Sequence, residues 1–335
     1  MFAFLVRRIL SGFLIVTLVS MIVFALFWYG PKSPALELCR RDTNGRCGET
    51  SPKLEEYEEN LGYNNPIYSE YADWVKGLVA GRTITIGTTE YECSAPCLGL
   101  SYRDRTEVTE QLKDRFPVTI SLAVGAASLY LLIGVTVGVL AARRRGTVAD
   151  KAMVSSTLVL SSIPYYLVAL LSFLLLTLST SIFPSVGYTP FFDNPLKWAE
   201  GLLLVWLVMG VYGATSYTRF SRGAMVEALS EDYVRTARAK GLKTRKVVTH
   251  HALRSALAPV VTIAGLDLGA QLAGVIITET TFSMLGVGRQ AVLAVNNSNL
   301  PIIMATVLLG AFLIVLSNFI VDLFYAVIDP RVRLS

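Results

Sequence analysis

The residues able to do chemistry in this chain are few, and they fall into separate patches. Its two histidines, His250 and His251, stand side by side. Adjacent helix positions point about 100° apart and no third ligand is near in sequence, so the pair reads as surface histidines rather than a metal site. There is no hydrolase elbow, metalloprotease signature or G-x-x-x-x-G-K-[ST] phosphate loop. All four cysteines, Cys39, Cys47, Cys93 and Cys97, share one stretch, and a single carboxylate, Asp267, lies inside an apolar run. A short basic segment, Tyr233–Gly241, completes the inventory. Such residue types serve binding, docking and orientation rather than bond making.

The elements that must position them are membrane helices. Of 335 residues 53% are hydrophobic and only 16% charged, with mean hydropathy +0.52, against about 25% charge in soluble domains. An ordinary soluble enzyme is excluded. Six apolar runs approach the roughly 20 residues a spanning helix needs: Ile9–Tyr29, Phe116–Ala142, Ala152–Leu178, Gly201–Thr218, Ala256–Thr278 and Leu300–Val321. The first is too long in its core for a signal sequence and lacks a small-residue cleavage site, so it is expected to stay as an anchor. Pro164 sits inside the third, where a kink is tolerable if neighbouring helices satisfy the freed carbonyl.

Charge sets the orientation. Arg7 and Arg8 precede the first run, Arg143, Arg144, Arg145 and Lys151 lie between the second and third, and Arg331 and Arg333 follow the sixth. Residues 219–254 carry nine Lys or Arg against three acids, whereas 31–115 carry fifteen acids against eleven bases. The positive-inside rule then places both termini in the cytosol. It also absorbs the pI near 9.0: no aromatics interleave with the basic loops as a nucleic-acid stacking platform requires, so no nucleic-acid partner is expected. The expected organisation is an anchor helix over 1–30, an extracytoplasmic loop domain over 31–115, and a five-helix core over 116–335 with a cytosolic loop at 219–258.

Thiols confined to the oxidising side of a membrane read as disulfides. Cys39–Cys47 and Cys93–Cys97 are the favoured pairs, since Asn44-Gly45 supplies a tight turn between the first two. A four-thiolate metal site competes, but the spacings are not those of a zinc ribbon. Helices are predicted from Ser51-Pro52, with Leu54, Tyr57 and Leu61 on one face and Gly62 as the stop, and from near Pro66 through Tyr71, Trp74, Val75 and Leu78 to Gly81. Thr83–Ile86 alternates like a short strand. Two roles stay open for this loop: a cap over outer helix ends, or a docking surface for an external partner.

The segment Glu227–Pro259 has explicit helix punctuation. Ser230 is expected to cap a helix with Glu231 and Asp232 in its first turn, Arg238 and Lys240 in its last, and Gly241 as a left-handed stop. Tyr233, Ala237 and Gly241 recur at four-residue spacing, a stripe of small side chains beside one aromatic, while Arg235 and Arg238 project from another face. A second helix from about Thr244 carries Val248, Ala252 and Ala256 on one side and enters the fifth run at Pro259. A narrow stripe flanked by cations suits another protein's groove better than a lipid surface, which favours large apolar side chains.

Asp232-Tyr-Val-Arg-Thr-Ala-Arg-Ala-Lys-Gly-Leu242 followed by His251-Ala-Leu-Arg-Ser-Ala-Leu-Ala-Pro259 resembles the cytosolic EAA loop of ABC-importer permeases. It looks most like the B-type permease of dipeptide and oligopeptide importers, with Arg235-Thr236-Ala237 where the general family has Glu-Ala-Ala. Gly30-Pro31, Leu61-Gly62…Pro66, Glu279-Thr280…Phe282…Leu285-Gly286…Gly288, and Asn318…Val321-Asp322…Tyr325…Asp329-Pro330-Arg331-Val332-Arg333 agree. Residues 31–50 and 83–105, with the cysteines, look like additions to the usual external loop. The resemblance implies an all-α membrane protein with the type I ABC-importer permease fold: six transmembrane helices and a folded extracytoplasmic loop between the first two. It implies a transport subunit in a bacterial cytoplasmic membrane, not an enzyme. Its partners would be a second, homologous permease, two ATPase subunits that hold the ATP and Mg, and an extracytoplasmic peptide-binding protein. No cofactor is expected on this chain. ATPase coupling would fall to Tyr233, Arg235, Thr236, Ala237, Arg238, Lys240 and Gly241.

Asp267 is costly inside a membrane unless paired or hydrated. It is a candidate to line the translocation path and attract a peptide's amino terminus; a buried interhelical hydrogen bond is the plainer role. Glu279, at the outer end of the same run, and Asp322, at the inner end of the sixth, are candidate gating or structural residues. Gly134-x-x-x-Gly138 and Gly265-x-x-x-Gly269 suit close helix packing. Permeases for nickel or oligosaccharides share these features, so cargo stays open among them. An ion-coupled carrier would need internal repeats and more intramembrane charge, and a non-transporting membrane sensor is the remaining alternative.

Overall fold

The computed structural model describes residues 2–29, 33–86 and 89–328. Gly30-Pro31 and Asp329-Pro330-Arg331-Val332-Arg333 therefore lie outside the described residues, as does the side chain of Tyr325. In chain order come α1 (Phe2–Trp28), α2 (Pro34–Asp42), α3 (Pro52–Asn60), α4 (Ile67–Ala80), β1 (Arg82–Ile86), β2 (Thr89–Cys93) and α5 (Val108–Arg143). Then follow α6 (Val148–Ser161), α7 (Tyr165–Ser179), α8 (Pro195–Ser230), α9 (Asp232–Ala239), α10 (Thr244–Leu272), α11 (Ile276–Thr281), α12 (Val287–Asn296) and α13 (Leu300–Ile328).

Five of these helices are long and apolar enough to span a membrane, or six if the bent pair α6–α7 is counted as one span. That pair departs from the single helix read for the third run. The chain turns by 88° between Ser161 and Tyr165, because Pro164 takes extended backbone and serves as the N-cap of α7 instead of sitting within a helix. The fifth run also differs. Its helix stops at Leu272, Gly274 adopts φ +136°, and a separate short helix, α11, carries Thr278 and Glu279.

The described residues form two compact units. One joins Met1–Pro117 with Leu285–Phe319 and the other joins Val118–Met284 with Ile320–Ser335. In the first, the cysteines pair as Cys39–Cys47 and Cys93–Cys97, with Cα separations of 5.7 and 5.5 Å. Leu38, Leu54, Tyr57, Ile86 and Leu100 bury around the first disulfide. Gly62 and Gly81 end their helices with φ +77°, as their positions in the sequence require. Val75 is exposed while Trp74 is buried against Phe24 and Tyr71, and Ser20 shares a 2.7 Å hydrogen bond with Tyr71. β1 pairs antiparallel with β2, a strand absent from the sequence expectation. The 100–105 turn is tied to the α12–α13 linker: Tyr102 N–H donates to Asn299 Oδ1 (3.0 Å), and Asn299 Nδ2 donates to Ser101 Oγ (2.8 Å).

In the second unit, small residues on α5 let α8 approach closely. A Cβ on Gly138 would stand 2.7 Å from Ser221 Cβ and from the Thr218 carbonyl oxygen, and one on Gly134 would collide with Tyr217. Gly265 faces Val321 in the same way. These contacts realise the close packing that the G-x-x-x-G spacings predict.

Candidate coupling and translocation sites

The sequence around α9 yields a short helix with two unlike faces. Glu231, not Ser230, is its N-cap; Ser230 is the last residue of α8 and its hydroxyl donates to the Glu227 carbonyl. Gly241 supplies the stop with φ +75°. Val234 and Ala237 are buried at 0% and 6% exposure, in one cluster with Ala142 of α5, Met225 and Ala228 of α8, and Val247, Val248, Ala252 and Ala256 of α10. This corrects the expected stripe: Ala237 faces the chain's own core, and its inward neighbour is Val234, three residues before it. Tyr233, Arg235, Thr236, Arg238 and Lys240 are exposed. Arg235 lies 3.3 Å from Asp232, both highly exposed, a geometry worth little at a solvated surface.

Asp267 sits on α10 in a different setting. The Tyr217 hydroxyl donates to its Oδ2 at 2.6 Å, an interhelical hydrogen bond, but Asp267 itself is exposed rather than buried. Asp267 also lines a cavity of about 590 Å³ bounded by Tyr130, Tyr165, Tyr212, Tyr217, Gln271 and Thr278. Tyr130 and Tyr217 stack with centroids 4.5 Å apart, and Gln271 Nε2 donates to the Tyr130 hydroxyl at 3.3 Å. Gln271 lies four residues after Asp267, on the same face of α10, but only the assembled bundle brings it to Tyr130 of α5.

Glu279 is fully buried and accepts from the Thr119 hydroxyl at 2.7 Å. It belongs to α11 rather than to the end of the fifth helix. Asp322 is half-buried on α13. One ion pair has no forewarning in the sequence: Asp150, at the start of α6, meets Arg222 of α8 through two contacts of 2.6 and 2.7 Å, and Gly146 N–H donates to the same carboxylate at 2.9 Å. Thr147 caps α6 and sets Asp150 in its first turn.

Against known proteins, residues 134–334 match the family described as binding-protein-dependent transport system inner membrane component, and residues 1–123 match its N-terminal region. The chain belongs to this family. The permease is 32% identical over 358 residues to the dipeptide transport system permease protein DppB of Escherichia coli (strain K12), covering 99% of each chain. It is 31% identical over 333 residues to a protein of Brucella abortus (strain 2308) named for a peptide transport system, again over 99% of both. Among solved structures, a chain of the inward-facing MetNI methionine ABC transporter matches with TM-score 0.52 at 19% identity, covering 66% of this permease and 97% of that chain. The fold is thus that of a type I ABC-importer permease. The permease is a multi-pass inner-membrane component, a transport subunit rather than an enzyme.

Proposed function

We propose that this permease forms half of the translocation pore of an ATP-driven peptide importer and receives the stroke of a separate ATPase through α9. The observation that carries the reading is the division of α9: Val234 and Ala237 lock one side into α5, α8 and α10, while Tyr233, Arg235, Thr236, Arg238 and Lys240 remain exposed on the other. A helix keyed to the pore on one side and open on the other suits an acidic-rimmed groove of an ATPase. Gly241 ends it without a side chain, in open space.

The relatives' names favour peptides as cargo. In this reading the permease pairs with a second, homologous permease, two ATPase subunits hold ATP and Mg, and an extracytoplasmic peptide-binding protein delivers cargo. Membrane lipid surrounds the spans. Both termini and α9 lie in the cytosol, consistent with nine bases in residues 219–254. Asp267 lines the path, while Glu279 and Asp322 hold or gate the bundle.

The test is a double substitution, Arg235→Glu with Arg238→Glu. The permease should still insert and keep its thermal stability, lose its ATPase during purification in mild detergent, and abolish ATP-driven uptake of a labelled dipeptide. Retention of the ATPase with normal uptake would remove α9 from the coupling role. Uptake of nickel ions in place of peptide by the wild-type importer would transfer the reading to a related cargo.

A further inference from the structure

The cavity beside Asp267 is lined in a way that selects one charge type. Asp267 Oδ2 takes the Tyr217 hydroxyl, and its Oδ1 accepts no hydrogen bond among the described residues. Gln271, one helical turn further along α10, turns its Nε2 to Tyr130 and leaves Oε1 buried and unpartnered among the described residues. Residues four apart on a helix share a face. Two acceptors therefore stand together without a donor. Only Gln271 Oε1 is buried, and a buried acceptor without a donor carries a penalty that a bound donor removes, whereas Asp267 is exposed to the cavity.

Two further features bias the same place. α10 ends at Leu272, and the positive φ of Gly274 turns the chain away, with Gly274 and Val275 themselves lining the cavity. The last carbonyls of a helix lack intrahelical donors and carry the negative end of its dipole, which favours a cation. Broken helices inside transporters place such ends at ion and substrate sites. The remaining walls include Tyr130, Tyr165, Tyr212 and Tyr217, and aromatic faces attract organic cations. Among the described residues no Lys or Arg lines the cavity.

Resting on the peptide reading above, we infer that this cavity is a recognition site for the primary ammonium group of the cargo, with Asp267 Oδ1 and Gln271 Oε1 as its paired acceptors at the broken end of α10. A peptide's amino terminus has the three N–H donors to satisfy both acceptors, and it is common to peptides of any side chain. Such a site reads the one group that every unmodified peptide shares, so it tolerates varied sequences and rejects blocked ones.

The complete importer tests this with Ala-Ala-Ala and N-acetyl-Ala-Ala-Ala as probes. In proteoliposomes with ATP inside and binding protein outside, wild-type uptake of labelled Ala-Ala-Ala establishes the cargo; absence of any peptide uptake would sink the peptide reading by itself. Equilibrium titration of the detergent-purified complex, without binding protein, then isolates the site. Wild type should bind the free tripeptide roughly ten-fold or more tighter than the acetylated one, the worth of one charge-assisted hydrogen bond. Asp267→Asn should erase that preference, Gln271→Leu should reduce it, and Asp267→Glu should restore part of it. Equal weak binding of the acetylated peptide to wild type and Asp267→Asn shows that the variant is folded. If peptide uptake is normal but wild type does not distinguish the two probes, or Asp267→Asn still does, the inference is wrong. N-acetyl-Ala-Lys-Ala supplies the ammonium from a side chain instead; binding that depends on Asp267 supports the site and extends it to lysine.

Discussion

Substitutions on the two sides of α9, at buried Ala237 and at exposed Arg235, should act differently. Ala237 is packed among Val247, Val248 and Met225, so Ala237→Arg forces a guanidinium into an apolar cluster, at a cost of several kcal/mol unless it escapes. Limited proteolysis should then cut the 230–250 segment faster. Arg235→Glu, on the exposed side, should leave proteolysis unchanged and weaken only ATPase association. A second residue-scale effect lies in the external loop. Burial, reinforced by the hydrogen bond to Asp42, pushes the Tyr57 hydroxyl from 10.0 up to about 12, and burial does the same for Tyr102. Between those values the folded protein keeps protons the unfolded chain has lost, so folding stability falls as pH rises through that window. The stability is fully present below pH 10. Tyr57→Phe should flatten part of this alkaline loss, as followed by circular dichroism against pH. Neither Val234's inward role nor the Asp150–Arg222 pair is legible locally. The pair joins residues 72 apart, and no spacing rule reaches that far.

Elements were legible where hydropathy and punctuation coincide, as in α3, α4 and α9. They were not where conformation alone decides. The apolar run continues without a break past Leu272, so only the backbone turn at Gly274 separates α10 from α11. At Pro164 the residue type announces a disturbance, but not that it ends one helix and caps the next with an 88° turn. β2 escaped notice because Thr89–Cys93 alternates two glutamates with Thr89, Tyr91 and Cys93, a weak apolar signal, and becomes a strand only by pairing with β1. At this scale the tight α5–α8 crossing gives a sharp expectation: Gly138→Val should cost about 1–3 kcal/mol by overpacking, seen as a lower melting temperature with the external loop unaffected. Cys39→Ser with Cys47→Ser reopens a short ring and should cost the loop about 2–3 kcal/mol, measurable by denaturant unfolding with and without reductant.

For the whole molecule, residues 134–334 and 1–123 fix the family, and the resemblance read from the loop at 232–259 led to the same place. The partners and the orientation carry their own expectations. Mild-detergent purification should recover a second permease and two ATPase subunits, and a homo-oligomer without ATPase would contradict the half-pore. A membrane-impermeant thiol reagent should modify Lys240→Cys in inverted vesicles but not in right-side-out ones. The cluster beneath α9 has a mechanical corollary. Val234 and Ala237 grip the ends of three long helices at once, and close-packed interiors pass strain on instead of absorbing it. Under the proposed coupling, a thrust delivered to α9 would be shared among α5, α8 and α10 like force through a keystone. On the proposed coupling role, those helices are expected to move together rather than α9 yielding alone at the point of contact.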